Sequence, residues 1–348
     1  MLEKPDLAEE TIIDCLGTVY GLAVSQVTFL PLGADLNTAV YRAWSAGGAD
    51  YFVKLRRADF SEIAVTLPRF LSDQGIAQII PPLAARDGRL WGEVAGHKLI
   101  VYPFIEGRDA SEVVLSVSQW ADFGKAMKKI HSLQLPEILL SQVLRETYPA
   151  HGREVVRGVL ISEQKGFADD QAACLFLASM KEKRGLILDL VKRAEILAAR
   201  LQGCSPGFVL CHSDAHAWNL LVDPQGQVYI VDWDNPILAP KERDLMFIGA
   251  GLGFTGHTPE SEQALFYRGY GETQIDAFAL AYYRYERIIQ DVAVYCEQLL
   301  WSTEGGEDRE QAYQYFLTNF EPGGTIELAY CSDRTQLFDD PEIGCGSG

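Results

Sequence analysis

Residues 208–234 constrain what this chain can fold into more than any other stretch. Phe208, Val209 and Leu210 form an apolar run that enters a polar loop at His212, and Leu220, Leu221 and Val222 form a second run. After an Asp223-Pro224-Gln225-Gly226 turn, a third run of Tyr229, Ile230 and Val231 ends on Asp232. This order predicts strand, loop, strand, tight turn, strand. Aspartate and asparagine are poor strand formers, so His212, Asp214, Asn219 and Asp232 are expected to cluster at strand ends, where a rigid base aims them at a ligand.

Two different periods surround that unit. Upstream, residues 8–20 carry helical apolar spacing and stop before Gly21. Residues 24–31, 39–44 and 50–55 read as strands of an antiparallel meander, 61–71 as a helix with a Ser61 cap despite Pro68, and 89–94 with 98–104 as a hairpin about Ala95-Gly96. These five strands and one internal helix make a small antiparallel-sheet lobe over residues 1–105. From Gly107 onward the spacing turns helical, over 118–133, 171–180, 184–201, 275–301 and 310–320. The expected architecture is α+β and two-lobed, with a larger, mostly helical C-terminal lobe over 106–320 enclosing the strand unit. A loosely ordered tail is expected over 321–348.

Composition narrows the function. The 348 residues suffice for two lobes with cores of their own, and 30 basic against 48 acidic side chains leave a formal net charge of −18. Such a surface repels a phosphate backbone and suits a cationic ligand, which argues against nucleic acid and for a small cationic molecule. Seven scattered cysteines without a C-x-x-C pair point to a reduced, cytoplasmic protein with mostly buried thiols. No run approaches the ~18 apolar residues of a membrane span, and nothing in the pattern calls for an obligatory protein partner.

The polar residues of the strand unit carry the chemistry. Asp214 and Asn219 are five apart, and Asp232 follows thirteen later. A carboxylate beside an acceptor hydroxyl can orient it and take its proton, while an asparagine and a second aspartate offer hard oxygen ligands for magnesium on a nucleotide's phosphates. Lys54, at the end of the apolar strand Tyr51-Phe52-Val53, suits the α- and β-phosphates, with Glu62 as the carboxylate that fixes its ammonium. The loop from Gly33 to Thr38, with Asn37 in it, could lay backbone amides over the phosphates, although its single glycine departs from G-x-G-x-x-G. Tyr102 and Phe104 mark an extended lobe connection whose backbone could pair with an adenine edge. The alternation of His212, Asp214 and His216 leaves a metal-dependent hydrolase open, with a nucleotide-binding pseudokinase as the non-enzymatic alternative. His216 receives no role from the sequence.

At this loop the sequence resembles the aminoglycoside phosphotransferases and their choline-kinase and fructosamine-kinase relatives, small-molecule members of the protein-kinase-like fold. Their H-x-D-x-H-x-x-N pattern is met by His212-Ser213-Asp214-Ala215-His216-Ala217-Trp218-Asn219, and their I-x-D-[WF]-[DE] pattern by Ile230-Val231-Asp232-Trp233-Asp234. Within the family, residues 238–249 and 282–288 are most similar to the spectinomycin phosphotransferases, and the resemblance runs from the first helix to about Phe320. It implies transfer of the γ-phosphoryl of ATP, or of GTP, with Mg2+ to a hydroxyl of an aminocyclitol such as spectinomycin. Choline, a sugar or an amino alcohol is the alternative acceptor. It further implies Asp214 as base, Asn219 and Asp232 as magnesium ligands, Lys54 as the phosphate lysine, and Asp244 as the buried aspartate that braces the loop, where His212 by its own position reads as a support bonding backbone. A dicationic acceptor wants carboxylates, for which Asp234, Glu242, Glu286 and Asp291 are the candidates.

Overall fold

The computed structural model describes residues 4–33, 37–45, 47–57, 60–162, 170–204, 207–302 and 306–338. Strands β1 (Val24–Leu30), β2 (Thr38–Ser45), β3 (Asp50–Arg56), β4 (Gly92–Val94) and β5 (His97–Pro103) form one antiparallel sheet in the order β1-β2-β3-β5-β4. Strand alternation sorts its faces. Val27, Tyr41, Val53, Leu55, Leu99 and Val101 share one buried cluster with Ile12 of helix α1 (Glu9–Cys15) and with Leu16 and Tyr20 of the π-helical turn that prolongs it. Phe52, Lys54 and Arg56 therefore fall on the other face. Gly21 stops the first helix at φ 74, a conformation only glycine adopts without cost. Helix α2 (Ile63–Asp73) follows β3 with Pro68 inside it, and its N-cap position is Glu62 rather than the expected Ser61.

The chain then runs through β6 (Arg108–Asp109), α3 (Val117–Ser132), α4 (Glu137–Leu140), β7 (Leu144–Arg145), α5 (His151–Ile161), α6 (Gln171–Glu182) and α7 (Arg184–Gln202). The strand unit follows as β8 (Val209–Cys211), β9 (Leu220–Val222), β10 (Val228–Ile230) and β11 (Ile237–Ala239). Helices α8 (Glu242–Leu245), α9 (Pro259–Tyr270), α10 (Ala277–Cys296), α11 (Gly306–Thr318) and α12 (Thr325–Ser332) complete the described residues. Helix ends are set by side chains. Ser116 and Gln119 exchange hydrogen bonds as a capping box on α3, and the Asp276 carboxylate accepts the Phe278 and Ala279 amides at the start of α10. Helix α10 runs through the core and buries Tyr282, Tyr283, Tyr285, Ile288, Ile289 and Val292. Helices α3 and α9 meet backbone to backbone, so that a Cβ on Gly269 would lie 1.8 Å from the Ala121 carbonyl oxygen.

Two short sheets fix the strand unit. Leu220 lies opposite Ile230 and Val222 opposite Val228 in the β9–β10 hairpin, whose outer edge β6 covers. Asp223 closes the hairpin by accepting the Gln225 and Gln227 amides at 2.9 and 2.8 Å. Strand β8 pairs with β11, Cys211 opposite Ile237, and so delivers the chain to His212 from a fixed direction.

Several expectations are corrected here. The described part of the segment from Glu321 is no loose tail, because α12 buries Ile326, Ala329 and Tyr330, and the Tyr330 hydroxyl donates to Asp189 at 2.6 Å. Helices α5 and α9 were not signalled by apolar spacing, since α5 contains two glycines and the buried Arg153, and α9 is acidic in its first turn. The expectation of mostly buried thiols holds for Cys15, Cys211 and Cys296, whereas Cys174 and Cys204 are exposed. Among the described residues no helix is long and apolar enough to cross a membrane.

Candidate active site

The hairpin register explains why Asn219 and Asp232 meet. With Leu220 opposite Ile230, the residues just outside the pair lie side by side, and the Val231 amide donates to the Asn219 carbonyl at 3.0 Å. Asp232 leaves the strand with φ 66 and Ser213 enters the loop with φ 72, both rare for residues with a Cβ. Such conformations persist only where surroundings over-determine them. Here Asp244, 2% exposed, accepts the His212 amide at 2.9 Å and the Ser213 amide at 2.6 Å. His131 Nε2 adds a third contact to the same carboxylate at 2.9 Å. Burial works to raise the Asp244 pKa, but His131, His212 and the Ser213 amide outweigh it and hold the carboxyl below its usual range.

His212 is closed to a metal. Its Nε2 donates to the Val231 carbonyl at 2.9 Å, and its Nδ1 accepts the Asp214 amide at 3.2 Å, so both ring nitrogens are spent on backbone and the tautomer is fixed. Among the described residues the one triad with clustered metal-ligating atoms is His131, Cys211 and Asp244, fully buried, and its imidazole and carboxylate are already hydrogen-bonded. The imidazole of His212 that a metal-dependent hydrolase would use is therefore already engaged.

Asp214 projects from the same loop. Arg287 Nη1 donates to its Oδ1, and His216 Nε2 lies 3.3 Å from that oxygen. Burial alone would raise the Asp214 pKa, but Arg287 and the two histidines hold it far below the usual carboxylate range. Asn219 Nδ2 donates to the Asp214 carbonyl at 2.9 Å, which turns Asn219 Oδ1 the other way.

From the sheet lobe, Lys54 reaches across to this group. Its Nζ donates to Asp232 Oδ1 at 2.8 Å and to Asp234 Oδ2 at 2.7 Å, and Arg56 also pairs with Asp234. Burial works to raise the Asp232 pKa, but Lys54 pulls against it and the carboxyl stays below its usual range. The Lys54–Glu62 pairing is therefore corrected: Glu62 is exposed at the start of α2, and Lys54 is satisfied by aspartates from the other lobe. Tyr102, opposite Phe52 in β5, shares the Lys54 face of the sheet, and burial raises its hydroxyl pKa. The Phe104 amide donates to the Asp50 carbonyl at 3.0 Å and its ring lies under the Arg42 guanidinium, so Phe104 is not the backbone donor of the connection. Because the Val101 carbonyl accepts from Leu83 on the side away from β3, alternation places the Pro103 carbonyl and the Ile105 amide on that same outer edge. Gly33 adopts φ 82, Asn37 accepts the Arg57 amide through its carbonyl, and residues 34–36 of the glycine loop lie outside the described residues.

Asp234 stays at the cleft, paired with Lys54 and Arg56. Two of the other carboxylates expected to face an acceptor are corrected. Glu242, 2% exposed, accepts the Asp276 amide and pairs with Lys241. Glu286, 1% exposed, lies 3.3 Å from Arg153 inside the helical core. Asp291 remains at the cleft, one turn beyond Arg287 on α10 and 3.1 Å from its Nε. Arg287 and Arg56 were missed. Their signals were the i,i+4 pairing of Arg287 with Asp291 and the two-residue spacing of Arg56 from Lys54, which puts both on one strand face.

The model of the phosphotransferase enzyme family APH matches residues 28–287. The chain belongs to that family. The APH assignment makes it a small-molecule phosphotransferase, and solved structures agree on its protein-kinase-like fold. A spectinomycin phosphotransferase, APH(9)-Ia, solved in complex with ADP and spectinomycin, is 35% identical with a TM-score of 0.86, covering 94% of this chain and 99% of that one. The choline kinase LicA from Streptococcus pneumoniae shares the fold at 17% identity and a TM-score of 0.56, over 88% of this chain and 96% of that one. Protein StrN of Streptomyces griseus is 24% identical over 224 residues, 62% of this chain and 67% of that protein.

Proposed function

We propose that this phosphotransferase moves the γ-phosphoryl of Mg-ATP to a hydroxyl of a cationic aminocyclitol, with spectinomycin as the acceptor. The observation that carries the reading is the convergence of Lys54 from the sheet lobe with Asp214, Asn219 and Asp232 at the ends of the strand unit. The 35% identity with a spectinomycin phosphotransferase over 94% of the chain and the net charge of −18 favour the cationic acceptor.

Roles follow from which atoms are already engaged. Asn219 Oδ1 and Asp232 Oδ2 carry no hydrogen bond among the described residues, lie at one hairpin end and are hard oxygen ligands, so they fit Mg2+. Bound there, the ion supplies charge neutralisation on the β- and γ-phosphates. Lys54 would exchange its contacts with Asp232 and Asp234 for the α- and β-phosphates. The Pro103 carbonyl and the Ile105 amide, two residues apart on a free edge, match the amino group and N1 of adenine. Guanine would set its own carbonyl against that of Pro103, which favours ATP over GTP, and an ATP-consuming reaction fits a cytoplasmic location. Asp214 orients the acceptor hydroxyl and takes its proton as the oxygen–phosphorus bond forms and the bond to the β-phosphate oxygen breaks. Its low basicity is compatible with a loose transition state, in which little deprotonation precedes bond cleavage.

The test is product mass. With Mg-ATP, spectinomycin is expected to gain one phosphoryl group. Unchanged spectinomycin with turnover of choline, a sugar or an amino alcohol would replace the acceptor and keep the reaction, and no turnover of any alcohol would remove the reading.

A further inference from the structure

The two oxygens of Asp214 have unequal surroundings. Oδ1 receives the Arg287 guanidinium and faces His216 Nε2 at 3.3 Å, whereas among the described residues Oδ2 meets the Asn219 side-chain amide alone, at 3.3 Å. That amide is committed more closely to the Asp214 carbonyl, at 2.9 Å. Both groups on Oδ1 are braced from behind. Arg287 Nε donates to Asp291 at 3.1 Å, and its guanidinium carbon lies 5.7 Å from the centre of the Phe247 ring. The His216 ring stands edge to face against both Phe247, at 6.0 Å, and Trp218, at 5.4 Å. Phe247 is fully buried, so one ring packed in the core backs both side chains.

We propose that Arg287 and His216 are positioning residues that hold Oδ1 of Asp214 and thereby keep Oδ2 turned to the acceptor hydroxyl. An unpinned carboxylate rotates and presents either oxygen, and a misplacement of about 1 Å at a reacting group costs on the order of a hundredfold in rate. Asp291 then serves the reaction by holding Arg287. The inference rests on Asp214 as the base of the phosphotransferase reaction.

The test compares R287A, R287K, H216F and the double variant R287A/H216F with the wild type, using spectinomycin and Mg-ATP. R287A is expected to lose about 10- to 100-fold in kcat while KM for both substrates stays within about threefold, because the group acts through Asp214 and not on a substrate. R287K, which keeps the charge without the fork, falls between them, and guanidinium ion at millimolar concentration restores part of the R287A loss. H216F lowers kcat in the same way, and the double variant loses less than the product of the single losses, since both residues act on one oxygen. An R287A kcat equal to wild type, or a loss confined to the acceptor KM, overturns the proposal. So do losses that simply multiply in the double variant. Melting curves and Mg-ATP binding confirm folding, and if R287A does not fold, R287K and H216F decide. A wild-type enzyme that phosphorylates no acceptor removes the phosphotransferase reading and this proposal with it. Wild-type turnover with unchanged R287A overturns this proposal alone.

Discussion

Asp244 holds the loop that carries Asp214 through three donors on one carboxylate: the His212 amide, the Ser213 amide and His131 Nε2. The left-handed Ser213 costs on the order of 1–3 kcal/mol, which these bonds offset. Replacing Asp244 with Asn sets an NH2 group among donors, and a loss of about 3 kcal/mol in unfolding free energy is expected, measured by denaturant titration. The pH dependence has a definite sign. A carboxyl whose folded pKa is depressed contributes stability above its unfolded pKa and loses it as pH falls through the folded value. The melting-temperature gap between wild type and D244N should therefore be full at neutral pH and shrink on acidification below about pH 4. At this scale the sequence made Asp214, Asn219 and Asp232 legible because their chemistry and their positions beside apolar runs coincide. It did not reveal the partner of Lys54, since Asp232 is 178 residues away and only the folded chain brings them together.

Element packing depends on a few places where helices touch without side chains between them. A methyl group on Gly269 would fall 1.8 Å from the Ala121 carbonyl oxygen, and that atom is backbone with no rotamer to escape into. Gly269→Ala should force α3 and α9 apart and cost at least about 1–3 kcal/mol, read from denaturant midpoints, and a wild-type midpoint would mean that the helices do not cross so closely. Helix α10 offers a contrasting case. Burial pushes the Glu286 carboxyl up to about 7, against the pull of Arg153. A folded pKa above the unfolded one gives stability that is complete below the unfolded value, near 4, and is lost as pH rises through about 7. Glu286→Gln escapes that loss, so its melting temperature should gain on wild type between pH 5 and pH 8, roughly the span of the Glu286 titration, while transfer activity persists. Activity lost without a change in stability would return Glu286 to the acceptor site. The strands of the sheet lobe were legible from alternation and turn residues. Helix α9 was not, although Thr258-Pro259 followed by Glu260 and Glu262 is a helix start that rests on capping chemistry rather than on apolar spacing.

Across the whole molecule, the change from strand to helical spacing near Gly107 foretold a small sheet lobe followed by a helical one, because period is set by the backbone and survives in sequence, while the protein-kinase-like form of that pair was implied by the family resemblance of the catalytic loop. What the sequence could not carry is the relation between lobes. Lys54 and Arg56 from the sheet face Asp232 and Asp234 from the strand unit, a contact that depends on both lobes being in place. If the phosphates lie where we propose, those ion pairs occupy their ground, and nucleotide binding and the balance of charge between the lobes are one process. On the proposed reading, Lys54, Asn219 and Asp232 serve the nucleotide and its metal, and Asp214 serves the acceptor. The most direct test is Asp214→Asn, assayed for Mg-ATP binding by calorimetry and for phosphorylated spectinomycin by mass. The expected result is nucleotide affinity within about threefold of wild type and transfer reduced by about 10^2- to 10^4-fold. Transfer at the wild-type rate by D214N would contradict the account.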